Sequence, residues 1–67
     1  MNDRERIGER IREIRTEKGL SQLQLAELAG LSQQNIARIE LGRYSPGIDI
    51  VGKISDALGC ELAIVSV

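Results

Sequence analysis

Histidine, phenylalanine and tryptophan are absent from these 67 residues, and cysteine, proline and tyrosine occur once each. Each gap removes a class of answer. A single thiol, Cys60, closes no intrachain disulfide, and without histidine it leaves no ligand set for a structural zinc ion, so no metal site is expected. No paired acid–base constellation stands in for the missing histidine, so the chain does not read as an enzyme. No apolar run reaches membrane-spanning length and no segment reads as a signal peptide. The expectation is a soluble cytoplasmic protein without a membrane partner. A chain this short has no room for a separate ligand-sensing domain, so neither a cofactor nor a small-molecule ligand is expected. Residues 1–67 make one domain. A core of that size rarely contributes more than about 3–5 kcal/mol of net stability. With no staple available, stability must come from helix packing, self-association, or both.

Excess charge of one sign is also missing: nine Lys and Arg stand against ten Asp and Glu. That balance argues against a nucleic-acid partner when taken in bulk. Its distribution is uneven, however. Residues 1–18 interleave six basic and five acidic side chains, whereas residues 19–46 carry only Glu27, Arg38, Glu40 and Arg43. A nucleic-acid reading must therefore rest on local geometry.

The elements present are mostly helical. RERIGERIREIRTEK, residues 4–18, places Ile7, Ile11 and Ile14 at i, i+4 and i+7, an amphipathic stripe. Its arginines suit either phosphate contact or a solvated, salt-bridged face. Gly19 ends it. Ser21 caps a second helix over 22–29, with Gln24 placed to complete a capping box; Leu25, Ala26 and Ala29 form its core face. Gly30 stops that helix and Ser32 caps a third over 33–41, with Ile36 and Ile39 inward. Gly42 and the turn RYSPG lead to a fourth helix over 47–58, striped by Ile48, Val51, Ile54 and Leu58. Gly52 sits inside it at a cost of about 1 kcal/mol relative to alanine. Cys60 reads as a small buried apolar residue or a redox sensor.

The tail ELAIVSV alternates like a strand over about 61–66. A lone strand cannot satisfy its own backbone. Either Leu62, Ala63, Ile64 and Val65 pair antiparallel with a second copy across a two-fold axis, or the tail is irregular.

The centre of the chain is helix, short glycine-containing turn, helix, a geometry in which the second helix enters the DNA major groove by its N-terminal end. Gln33 and Gln34 open that second helix. Each amide can donate to and accept from one adenine edge, a pairing that discriminates by about 1–3 kcal/mol. Arg38, four residues beyond Gln34, can read guanine or hold a phosphate. A polar opening turn also serves solubility alone. Tyr44 suits either packing or base stacking.

GLSQLQLAELAGLSQQNIARIELGRYSP resembles the lambda-repressor-like (Cro/C1, XRE) helix-turn-helix domains. The likeness runs through Gly19-Leu20-Ser21-Gln22, Leu25-Ala26, Gly30, Ser32, Ile36, Ile39-Glu40, Gly42 and Pro46, and covers roughly residues 7–62. It implies a mainly α, compact four-helix lambda-repressor-like domain. It assigns a phosphate contact to Gln22, where a helix N-terminus also favours an anion. Ser32, Gln33, Gln34, Asn35 and Arg38 fall at recognition positions, and Arg43 at a backbone contact. Arg15 and Glu40 match a structural ion pair. Leu41 stands where the family often has asparagine, Leu23 and Leu28 where it often has polar residues, and the usual fifth helix is replaced by ELAIVSV. That ending resembles the HipB-like antitoxins. With Ile50, the two leucines are candidates for leaving an apolar surface.

Three functions follow. The first is a sequence-specific DNA-binding transcriptional regulator, a repressor acting as a homodimer on double-stranded DNA at an inverted repeat, with half-sites roughly 34 Å apart. The second is an antitoxin that also binds a toxin protein. The third is a protein-interaction module on the same fold without DNA binding. With few basic residues near the motif, the first carries a modest salt dependence; a slope fitting ten or so phosphate contacts would contradict it.

Overall fold

A computed structural model describes residues 1–66. Among them four helices form: α1 (Asp3–Glu17), α2 (Gln22–Ala29), α3 (Gln33–Glu40) and α4 (Ile48–Ala57). Their starts are set by side chains that accept from free N–H groups. Asn2 and Glu5 form a reciprocal capping box on α1, Ser21 and Gln24 do the same on α2, and Ser32 accepts from the Asn35 N–H on α3. Helix α4 has no such cap; Gly47 precedes it without a side chain to offer.

The turn between α2 and α3 depends on Gly30, whose φ of 70° is a left-handed conformation that a Cβ disfavours. It lets the Leu31 N–H reach back to the Ala26 carbonyl at 2.9 Å. Gly19, Gly42 and Gly59 close the other three helices with the same sign of φ.

Helix α3 packs between α1 and α2, and α2 packs on α4. Ile11, Leu25, Ala26, Ala29, Ile36, Ile39, Ile54 and Leu58 form one core. Leu25, Ile36, Ile39 and Ile54 are its fully buried large side chains. At Gly8 the backbone of α1 lies close against α3: a Cβ there would fall inside the van der Waals radius of the Ile39 carbonyl oxygen. Glycine there costs helix propensity and gains backbone approach.

Several expectations need correction. Ile7 and Ile48 lie on the apolar stripes of α1 and α4, yet they are 38% and 73% exposed. Ile48 opens α4 at its N-terminal end, and Ile7 borders an open cleft between α1 and α4. Ile50 instead packs against the core, while Leu23 and Leu28 are exposed. Cys60 is half-buried against the core. The strand expected over 61–66 is not formed within the chain: residues 60–66 adopt no regular structure. A strand needs a ladder partner, and among the described residues the chain supplies none. Gly52 faces the tail, with Leu62 Cδ1 at 4.0 Å from where its Cβ would stand. Among the described residues no helix is long and apolar enough to cross a membrane, and no cluster of three or more His, Cys, Asp or Glu could hold a metal ion.

Candidate nucleic-acid interface

The two faces of α3 differ sharply. Ile36, Ile39 and Glu40 are buried, and Gln33, Gln34, Arg38 and Leu41 are exposed. Gln34, Arg38 and Leu41 stand at i, i+4 and i+7, so they form one outward stripe, with Gln33 beside its N-terminal end. Among the described residues, neither glutamine amide bonds to another side chain or to the backbone, whereas Gln24 on α2 spends its amide oxygen on the Ser21 N–H at 2.8 Å. Ser32 is exposed and its Oγ accepts from Asn35 N–H at 3.1 Å; Asn35 itself is half-buried. The arrangement presents two complete amide donor–acceptor pairs and one guanidinium at the surface of a short helix.

Behind this face lies a polar knot. Arg15 on α1 donates from Nε and Nη2 to the two oxygens of Glu40, at 2.6 and 2.9 Å, and from Nη1 to the Leu20 carbonyl at 2.8 Å. Gln22, the first residue of α2, donates from Nε2 to Glu40 Oε1 at 3.1 Å. One buried carboxylate thus ties the first three helices together. The Arg15 pKa is raised by its hydrogen bond to Glu40, against the opposing cost of burial, so the guanidinium stays charged at any ordinary pH. Gln22 keeps its oxygen and one N–H for another partner.

Arg43 is exposed, and its backbone N–H returns to the Arg38 carbonyl at 3.1 Å, folding the post-helix loop against α3. That fold brings Tyr44 under Arg38, with the guanidinium carbon 5.3 Å from the ring centroid. The Gln22 and Glu40 side chains line one surface groove with Leu41. Gln22 therefore lies toward the C-terminal end of α3, away from Gln33 and Gln34. Leu62, Ala63, Ile64 and Val65 are exposed; the first two line a separate cleft with Ile7, Ile14 and Val51, between α1 and α4.

Two contacts had no reading in the sequence. The link from Gln22 to Glu40 joins residues eighteen apart in two helices. The stack of Arg38 on Tyr44 crosses a glycine turn, where no helical period operates. A third feature, the Asn2–Glu5 capping box, was visible as N-x-x-E at the start of the first helix.

This geometry can be set against known proteins. Residues 11–65 match the family model HTH_3, described as Helix-turn-helix. The chain belongs to this helix-turn-helix family. It is a family of DNA-binding transcription regulators of the Cro/C1 (XRE) type, not of enzymes. The chain is similar to the immunity repressor protein of Bacillus phage phi105, 41% identical over 59 residues, covering 88% of this chain and 41% of the repressor. It is 49% identical over 51 residues to an uncharacterized HTH-type transcriptional regulator of Methanothermobacter thermautotrophicus, covering 76% of this chain and 74% of that one. The chain thus spans less than half the phage repressor's length and about three quarters of the archaeal regulator's. Among solved structures, the restriction-modification controller protein C.AhdI from Aeromonas hydrophila superposes with a TM-score of 0.86 at 39% identity, covering 88% of this chain and 89% of the controller. In helix-turn-helix terms, α2 and α3 occupy the places of the motif's two helices.

Proposed function

We propose that this chain is a sequence-specific DNA-binding repressor of transcription, acting in the cytoplasm as a homodimer on an inverted-repeat operator. The observation that carries this reading is the outward face of α3, where the side chains of Gln33, Gln34 and Arg38 project and, among the described residues, no carboxylate or backbone group is bonded to them. An exposed amide pair has both halves of an adenine contact ready, and an unpaired guanidinium suits guanine. In this scheme Ser32 and Asn35 approach the DNA beside the glutamines, Gln22 and Arg43 hold phosphates, and Arg15 with Glu40 keeps the helices in register. The names of the phage repressor and the bacterial controller support a regulatory role. Leu62 to Val65 pair antiparallel with the same segment of a second copy, which would satisfy the backbone that the single chain leaves unpaired.

The test is footprinting on a selected duplex, together with sedimentation of the complex. Two chains per duplex and two protected half-sites roughly 34 Å apart are expected. Truncation after Glu61 should give a monomer that protects one half-site weakly. A wild-type monomer protecting one half-site would end the dimer proposal, and no protection even at low salt would end the regulator reading.

The exposure of Leu23 and Leu28, 50% and 62%, favours a second reading in which α2 also binds a protein such as a toxin. Co-purification of a second chain from the native host, lost on Leu23→Ser/Leu28→Ser, would support it; a chain that purifies alone would not.

A further inference from the structure

Arg38 is the only charged residue on the outward stripe of α3, and it is a long side chain with many rotamers. Among the described residues no carboxylate lies within ion-pair distance of it; the three ion pairs are Arg6–Asp3, Arg10–Glu13 and Arg15–Glu40. What holds it is an aromatic face. Tyr44, the one aromatic residue of the chain, is half-buried with its ring packed against the core, and the Arg38 guanidinium lies over that ring at 5.3 Å. The backbone leading to the ring is held against α3 by two bonds: the Gly42 N–H donates to the Ile39 carbonyl at 3.0 Å and the Arg43 N–H to the Arg38 carbonyl at 3.1 Å. A guanidinium stacked on a ring keeps its in-plane N–H donors free, because the ring occupies only the face.

We infer that Tyr44 is a positioning residue for DNA readout: its ring restricts the Arg38 guanidinium to a plane from which its N–H fork addresses one base pair. This rests on the reading of α3 as the recognition helix. A ring fixed by the core is a better template than a surface carboxylate, which would compete with the DNA for the same N–H donors. Preorganisation of this kind lowers the ordering cost of binding without adding a contact. Tyr44 therefore affects discrimination at one position of the operator, the one Arg38 reads, and leaves the positions read by Gln33 and Gln34 alone.

The experiment measures binding of purified wild type, Tyr44→Phe, Tyr44→Leu, Arg38→Ala and the Tyr44→Leu/Arg38→Ala double variant. The probes are the duplex selected by the wild type and its single-base-pair variants. Leucine keeps an apolar group against the core and removes the π face; phenylalanine keeps both. Tyr44→Phe should match the wild type within about two-fold. Tyr44→Leu should lose roughly two- to five-fold in discrimination, at one base pair only. That loss should vanish in the Arg38→Ala background, where the ring has nothing to hold. Urea unfolding of each variant separates loss of fold from loss of readout.

A Tyr44→Leu loss that is uniform over all base pairs, or that persists without Arg38, would make the tyrosine a packing residue and overturn the inference. So would failure of Tyr44→Phe to restore discrimination. If the wild type itself selects no duplex, the DNA reading falls and this inference with it, an outcome plainly different from a wild type that selects normally while the cycle shows no coupling.

Discussion

Helices α1 and α3 both turn a polar face to water, yet the two faces are built differently. On α1, arginines are interleaved with acids, and two of them pair three residues away, Arg6 with Asp3 at 3.4 Å and Arg10 with Glu13 at 3.2 Å; Arg4 and Arg12 make no ion pair among the described residues but lie among acids on the same helix. On α3, Gln33, Gln34 and Arg38 have no acidic neighbour on the same face. A face on which acids alternate with bases is close to neutral and offers little net charge to a partner. A face of unpaired amides with one guanidinium keeps its donors and acceptors available. Charge count alone would have pointed to α1 as the nucleic-acid surface. The absence of acids from the exposed face points to α3.

The comparison can be broken at the place where the two helices meet. Arg15 is the α1 arginine that leaves the solvated face and binds Glu40, whose side chain is only 3% exposed. Arg15→Ala leaves a buried carboxylate without its cation, and a loss of about 3–5 kcal/mol is expected. That equals the whole margin of a domain this small, so urea unfolding should show a largely unfolded chain. Replacing both partners by apolar residues, Arg15→Met/Glu40→Leu, should recover much of the loss; a double variant as unstable as the single one would mean that the pair contributes more than mutual compensation. Gly8→Ala comes next. Its Cβ meets backbone oxygen, which cannot swing aside, and overpacking of this kind costs typically about 1–3 kcal/mol. An unchanged urea midpoint would mean that α1 can shift away from α3 without cost.

The smaller effects sharpen the contrast. Gln33→Ala/Gln34→Ala should change stability by no more than about 0.5 kcal/mol, as expected for surface positions away from caps and core. Arg10→Ala should be the mildest, with stability and DNA affinity within about 0.5 kcal/mol of wild type, because an exposed i,i+3 pair is worth so little. A larger loss of affinity in Arg10→Ala would place α1 on the DNA after all.

Much of this arrangement was legible because local chemistry and tertiary packing agree. Ser21, Gly30 and Ser32 mark helix ends by their own hydrogen bonds and backbone preferences, so α2, α3 and the turn between them could be read directly. What escaped depends on contacts between elements. The stripe of Ile7, Ile11 and Ile14 gave a helix but not the depth of its packing; at Gly8, which no hydrophobic pattern marks, the backbone of α1 comes too close to α3 to leave room for a Cβ. Ile48 obeyed the period of α4 and still lies in water, because periodicity specifies a face and not what covers it. The outward residues Gln33, Gln34 and Arg38 could be named from spacing. Their differing states could not: free amides at one end, and at the other a guanidinium resting on Tyr44 across a glycine turn. The tail shows the same limit most plainly. Its alternation is that of a strand, and a strand is not a property of one segment.

The most direct measurement is selection of wild type and Gln33→Ala/Gln34→Ala, side by side, against a random duplex pool, with sequencing of what each retains. The wild type should enrich an inverted repeat, and the double variant, equally folded, should lose it or relax it at the positions the amides read, with about 1–3 kcal/mol of discrimination lost per bidentate contact. Enrichment of the same repeat with the same base preferences by both proteins would show that the two glutamines do not read DNA, and would contradict the assignment of α3's outward face as the reading surface.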